Sequence, residues 1–391
     1  MKSFKADYVF PVNAAPIKNG IVTVNGSGKI ISVTGQNTNN AANNVPVQQL
    51  SGIICPGFVN THCHLELSHL RGKIAPGNGL VNFIKDIQKF RGADAGEIRD
   101  ASTRADDEMY QNGIVAVGDI ANTNASIPVK AGSKLYYHSF IECFSFSPDK
   151  ANQVFSNALA LLSEFKPQPC SITPHAPYSV SKELFKLIRG YCREGKNLVS
   201  IHNQECEDEN KFYRYKQGGF IDLYASFGID ISYFKPLARN SLQSITPLLT
   251  DKQDILMVHN TCTNIKDVYF IKRFDRKIHW CFCPNANLYI ENMLPKVGLF
   301  LNQGFNITLG TDSLASNVSL CILNEMRTLQ QNFPMLGTAQ LIEWGTINGA
   351  RYLGIEDEKG TLEAGKNPGL NLITGLDGLR ITPETKVRRL V

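Results

Sequence analysis

Through the middle of the chain, short uninterrupted apolar runs alternate with longer stretches whose apolar residues recur every three or four positions. The runs are Ile53–Val59, Ile114–Ile120, Leu135–Phe144, Cys170–Pro174, Leu198–His202, Ile255–His259, Ile278–Cys283 and Ile307–Leu309. Continuous apolar runs of this length predict strands covered on both faces. Between them lie helix candidates at Val81–Phe90, Ala95–Asn112, Lys150–Phe165, Ser181–Glu194, Glu209–Phe227, Asn264–Phe274, Leu294–Asn302 and Cys321–Asn332. Eight such alternations over roughly 260 residues predict an α/β chain with a closed (β/α)8 TIM barrel. An open doubly wound sheet is the alternative. No Gly-x-Gly-x-x-Gly follows a strand and no Gly-x4-Gly-Lys-Ser/Thr occurs, so nothing favours it.

The two ends read differently. Tyr8-Val9-Phe10, Gly20–Val24 and Lys29–Val33 are short β-branched runs separated by Asn, Gly and Pro, and the Asn-rich Gln36–Asn44 reads as a loop. Gly360-Thr361-Leu362 and Asn371–Thr374 near the other end have the same character. The two ends are expected to pair into one small β unit.

Composition narrows the function. Forty Lys+Arg against 35 Asp+Glu gives +5 over 391 residues, with no basic block of five or more, so nucleic-acid binding is not expected. The basic stretch Lys386–Arg389 reads as a solvated end. No apolar run approaches the ~18 residues of a membrane helix, and Met1–Asp7 lacks the apolar core of a secretory signal. Ten Cys form no Cys-x-x-Cys, and several sit inside apolar runs such as Trp280–Cys283. That usage predicts reduced, buried thiols in a cytoplasmic protein. The expected partner is a small-molecule substrate, without nucleic acid or membrane; a homodimer stays open.

The chemistry lies in where the polar residues fall. His62 and His64, His175, His202, His259 and Asp312 all stand at the C-terminal end of a predicted strand. In a barrel that end carries the reaction, because the loops converge there. His62 and His64, two apart in an extended segment, point to one face and can share a metal at ~2.0–2.1 Å. His202 adds a third imidazole, and Glu205, three residues on, suits a general acid/base; a solvated acidic loop is the other reading, to which Glu207 and Glu209 are assigned. His259 ends an apolar run as a water-orienting group, a leaving-group polariser or a core histidine. Asp312 can ligate a metal and accept a proton, or cap a helix. Three His and one Asp with an open position suit a catalytic centre, not a structural one. No Lys ends the fourth strand to bridge two metals, so one metal is favoured. Glu66, His69 and Arg71 lie on a Gly-rich loop that reads as a lid or as a solvated segment. His138 and His279 fall within strands and read as packing.

Five segments in order resemble the amidohydrolase superfamily, specifically its mononuclear deaminases of adenosylhomocysteine/methylthioadenosine, guanine, cytosine and aminofutalosine. They are Pro56–His64, Pro174–Ser179, His202–Glu205, Cys283–Leu288 and Gly310–Asn317. The resemblance implies a barrel over 55–355 and a composite β-sandwich from 1–54 plus 356–391. It implies His62, His64, His202 and Asp312 as ligands of one divalent ion, zinc or ferrous iron. Glu205, His259 and Asp312 become the catalytic groups, and Glu66, His175, Asn287 and Ser316 the substrate contacts. The implied enzyme is a hydrolase of carbon–nitrogen bonds other than peptide bonds, releasing ammonia from an adenosine-like aminopurine. The departures are an acid at Glu66, as in aminofutalosine deaminases, Ala286 in place of a usual Ser, and Lys366–Gly369 in place of a usual Ala-Asp. The rival readings are a hydrolase of a cyclic amide, imidazolone or chlorinated triazine at the same site, and a non-catalytic binding protein.

Overall fold

The structure, a computed structural model, describes residues 1–35, 46–301 and 303–391. Gln36–Asn44 and Asn302 therefore lie outside the described residues. Eight parallel strands carry the middle of the chain. They are β1 (Phe58–Cys63), β2 (Ile114–Ala121), β3 (Tyr136–Cys143), β4 (Cys170–Pro174), β5 (Val199–Asn203), β6 (Asp254–His259), β7 (Lys277–Phe282) and β8 (Asn306–Leu309). They form two four-stranded sheets, β1 to β4 and β5 to β8, each in chain order. Ile255 to Val258 of β6 are buried without interruption, as a strand covered on both faces requires.

Side chains bridge both seams between these sheets. Between β4 and β5, Asn197 accepts from the Ile172 amide at 2.8 Å and donates to the Ile172 carbonyl at 2.9 Å, while Thr173 Oγ1 accepts from the Ser200 amide at 2.8 Å. Between β8 and β1, the Thr61 and Thr308 hydroxyls meet at 2.8 Å and Asn60 Nδ2 donates to Thr311 Oγ1 at 2.7 Å. Cys63 and Asp312 form a parallel bridge just beyond.

The chain ends do pair. One sheet runs in the order Ile30–Thr34, Ile21–Val24, Lys2–Lys5, Val47–Gln49. The other runs Lys386–Arg389, Leu370–Thr374, Ile53–Pro56, Tyr8–Val9, Ile17–Lys18. Phe4, Val9, Val22, Ile54, Leu370 and Leu372 share one buried cluster, so residues from both termini fill the same core. Gly360-Thr361-Leu362 is not a strand, although the Leu362 amide donates to the Pro11 carbonyl at 3.0 Å.

Three expected elements are corrected. The run Ile53–Val59 is two strands, because the chain changes sheets at Gly57. A Cβ there would lie 2.2 Å from Val115 Cγ1 and 2.7 Å from the Pro368 carbonyl, so only glycine passes. Glu209–Phe227 is two helices, Glu207–Tyr215 and Gly219–Ser226, broken by Gly218 at φ 94°. Within the expected helix Leu294–Asn302, the described residues hold the short 3-10 turn Val297–Leu299 and no α-helix. No helix among the described residues is long and apolar enough to cross a membrane.

Candidate active site and metal centre

The C-terminal ends of β1, β5 and β8 bring four ligand atoms together. His64 Nε2 lies 3.2 Å from His62 Nε2 and 3.3 Å from His202 Nε2. Asp312 Oδ1 lies 3.6 Å from His62 Nε2 and 3.4 Å from His64 Nε2. A tetrahedral ion with bonds of ~2.0–2.1 Å has ligand–ligand edges of ~3.4 Å, so the spacing fits a divalent cation. The chemistry of the donors fits too. His202 Nδ1 donates to the His175 carbonyl at 2.8 Å, which leaves its Nε2 as a bare lone pair. Burial, with neighbouring imidazoles, holds His64 down at about 3 and His202 well below the usual histidine range, so both rings are neutral. Burial alone would raise the Asp312 carboxyl, but His62, His64 and His259 hold it below the carboxylate range, so it is an anion. The bare Nε2 of His202, the ring nitrogens of two further histidines and the Asp312 carboxylate, all within 4.8 Å of one another, make a cation's cradle.

Two further groups stand at this point. Burial first, then the charges of Asp312, Glu209 and Glu291, pushes the Glu205 carboxyl well above its usual range. His259 Nε2 lies 3.6 Å from Glu205 Oε1 and has no hydrogen-bond partner. Asn287 Nδ2 meets His259 Nδ1 at 3.1 Å, which leaves the ring proton on the Nε2 that faces the site. The chamber thus brings together a carboxyl whose acidity burial suppresses, an imidazole N–H and a carboxylate held ionised, set apart by environment. Gln204, His259, Asn260 and Asp312 all adopt left-handed backbone, at φ 47°, 73°, 59° and 56°. Such residues cost ~1–3 kcal/mol each and persist where the surrounding structure holds them. Asp312 caps no helix, since the next begins at Ile322, and its Oδ2 accepts from the Ser316 hydroxyl at 2.6 Å.

These groups face a cavity of about 640 Å³. It is lined by the polar His64, Glu142, His175, His202, Glu205 and Asp312 and by apolar residues that include Phe83, Ile87, Phe146, Val154, Tyr224 and Phe227. The helix Leu80–Phe90, after the Gly-rich loop, supplies part of that apolar wall.

Residues 53–387 match the family model described as the Amidohydrolase family. The chain belongs to that family. It is 25% identical over 328 residues to an adenosine deaminase of Helicobacter pylori, a match spanning 82% of this chain and 79% of the relative. It is 28% identical over 334 residues to a 5-methylthioadenosine/S-adenosylhomocysteine deaminase of Teredinibacter turnerae, spanning 80% and 70%. The solved structure of Helicobacter pylori aminofutalosine deaminase in complex with methylthio-coformycin is similar with a TM-score of 0.82 at 20% identity, covering 98% of this chain and 94% of that one. The shared architecture is TIM-barrel-like and α/β.

Of the substrate contacts expected in this amidohydrolase, His175 lines the cavity. Burial holds it down at about 4. The other three do not line it. Glu66 is buried with its carboxylate on the amides of Asn122 and Thr123, both at 3.1 Å, and on the Thr123 hydroxyl at 3.0 Å. Asn287 Nδ2 is engaged by His259 while its Oδ1 has no hydrogen-bond partner, and the Ser316 hydroxyl is engaged by Asp312. Each places another residue instead of facing the cavity. His69 bridges the carbonyls of Glu66 and Arg91 at 3.0 and 3.2 Å. His138 is buried against Ser171, and His279 pairs with Asp254 at 2.9 Å.

The assignment of Glu209 to solvent is overturned. Glu209 is buried, and its carboxylate accepts the amides of Gln204 at 3.0 Å and Glu205 at 3.3 Å. Its acidic neighbours disguise it in the sequence, whereas the helix turns it inward. Sequence reading also missed Asp119 and Glu142. Asp119 Oδ1 accepts from the Leu65 amide at 2.7 Å and Oδ2 pairs with buried Lys130 at 2.6 Å, which fixes the chain just past His64. Each is a charged residue inside an apolar strand, a visible signal that burial must be compensated.

Proposed function

We propose that this amidohydrolase is a metal-dependent hydrolytic deaminase of an adenosine-like aminopurine nucleoside, releasing ammonia. The observation that carries the reading is one chamber holding the four-atom cation cradle, the buried Glu205 carboxyl and the unpartnered His259 Nε2. The deaminase names of the relatives in both comparisons support it. His62, His64, His202 and Asp312 would hold one divalent ion, zinc or ferrous iron. Such an ion supplies an acidified water, of pKa near ~7, as the nucleophile.

The chain's own groups do the rest. Glu205 donates its proton to the ring nitrogen beside the amine-bearing carbon and so makes that carbon electrophilic. His259 Nε2–H holds the attacking oxygen and then the oxygen of the tetrahedral carbon. Asp312 takes one proton released by the water and passes it to the amine; as the C–N bond breaks and ammonia leaves, the hydroxyl on the tetrahedral carbon gives its proton back to Glu205 and becomes the carbonyl. Ser316 and Asn287 hold Asp312 and His259 in the orientations these transfers need. The apolar remainder of the cavity suits a nucleoside bearing an apolar 5′ substituent better than one bearing a bare hydroxymethyl.

We also read the eight strands as one closed (β/α)8 barrel over 55–355, and 1–54 plus 356–391 as a composite β-sandwich. The side-chain bridges at both seams and the core shared by the chain ends support this. The deciding experiment is an ammonia-release screen of the metal-replete chain on methylthioadenosine, adenosylhomocysteine, 5′-deoxyadenosine, guanine, cytosine and a chlorotriazine. Release from the adenosine-like members is expected. Silence on every purine would overturn the reading.

A further inference from the structure

Glu142 is a buried carboxylate that the deamination chemistry does not use. It is the penultimate residue of β3 and lines the cavity. Its side chain is 3% exposed. Oε2 accepts from Asn122 Nδ2 at 2.9 Å, and the backbone N–H of Asn122 donates to Glu66 Oε1 at 3.1 Å. Oε1 has no hydrogen-bond partner. The nearby polar hydrogen belongs to His202 Nδ1, 3.8 Å away, and that hydrogen is already given to the His175 carbonyl. The same bond removes the lone pair that a second cation would need, although Glu142, His175 and His202 cluster within 4.8 Å.

A buried acceptor left unpaired is costly, and one facing a cavity is satisfied when a ligand brings a donor. An adenosine-like nucleoside carries few donors. Its free ring nitrogens accept, N9 is bonded to the sugar, and the exocyclic amine is the leaving group. The sugar hydroxyls remain. Resting on the deaminase reading, we propose that Glu142 Oε1 accepts a hydrogen bond from a ribose hydroxyl, which makes Glu142 a specificity-determining substrate contact. Glu66 then acts through Asn122 to position it, which gives that acid a purpose although it does not line the cavity.

The test compares adenosine with 2′,3′-dideoxyadenosine on metal-replete wild type, Glu142→Ala and Glu142→Gln, by kcat/KM and by calorimetric binding. Free adenine, whose N9–H is an alternative donor, forms a third arm. Wild type is expected to favour adenosine over the dideoxy analogue by roughly 10- to 100-fold. In Glu142→Ala that ratio collapses towards one, because adenosine loses more than the analogue, whereas Glu142→Gln, whose amide still hydrogen-bonds a hydroxyl, keeps part of it. Equal use of the two nucleosides by wild type would overturn the proposal. So would an unchanged ratio in Glu142→Ala, equal loss of both nucleosides in that variant, or a change confined to adenine. Failure of the deaminase reading looks different: no ammonia appears, yet calorimetry still reads the adenosine preference and its loss in Glu142→Ala. Absence of nucleoside binding by wild type would overturn both.

Discussion

Replacing Glu205 by Gln removes one proton and almost no volume. The side chain is 4% exposed, and its acidity is suppressed by burial and by Asp312, Glu209 and Glu291, so the wild-type residue enters the reaction as a neutral acid. Gln keeps a hydrogen bond to a ring nitrogen but has no proton to transfer. General acid transfer contributes ~10²–10⁴-fold, equivalent to ~3–5 kcal/mol of barrier, so kcat falls by that factor. Glu205 contributes none of the four converging ligand atoms, so the metal content by elemental analysis stays as in wild type. The pH profile separates proton transfer from mere packing. Wild-type kcat/KM declines as pH rises through the raised Glu205 pKa, because the required form is the protonated one. The variant lacks this alkaline limb. Stability moves with the same sign. A carboxyl whose folded pKa is raised contributes stability below its unfolded value and loses it as pH climbs through the folded one. Melting temperatures of variant and wild type therefore diverge in the variant's favour on the alkaline side. Full turnover in Glu205→Gln, or an alkaline limb that persists in it, would refute the assignment.

Asp312→Asn weakens the cradle and removes a proton carrier; elemental analysis is expected to show substoichiometric metal, with turnover down ~10²-fold or more. Glu209→Ala leaves the Gln204 and Glu205 amides unpaired, at ~1–3 kcal/mol each. Its kcat should fall ~10- to 100-fold through misplacement of Glu205 while metal is retained, and an unchanged kcat would remove Glu209 from the support of the site. Gly57→Ala drives a methyl into Val115 and the Pro368 carbonyl. A loss of ~1–3 kcal/mol in stability is expected, read as a lower melting temperature.

The strand–helix alternation was legible because buried parallel strands must be apolar throughout. Its boundaries blurred where one residue changes the path: Gly57 divides an apolar run between two sheets, and Gly218 divides an amphipathic one. His62, His64, His202 and Asp312 were legible as strand-end residues, and the structure gathers them. Glu205 and His259 join them. Glu66, Asn287 and Ser316 show the limit of such reading. Their place in a motif marks proximity to the site, but whether a side chain faces the cavity or braces a neighbour depends on partners far away in sequence. Asn122, 56 residues beyond Glu66, decides that case. Glu209 was obscured among other acids, whereas Glu142, a lone charge inside an apolar strand, carried a legible signal.

The pairing of Ile53–Pro56 with Leu370–Thr374 also sets a schedule for biogenesis. At 5–20 residues per second, the ribosome makes the second partner ~15–60 s after the first, roughly 320 residues later. Until then Val9, Val22 and Ile54 lack the apolar surface of Leu370 and Leu372 that completes their cluster. The segment leading into the histidine-bearing strand thus waits for most of the chain to be made before it gains this permanent neighbour. A stalled or prematurely released nascent chain would present that apolar face to chaperones, or to other unfinished copies of itself.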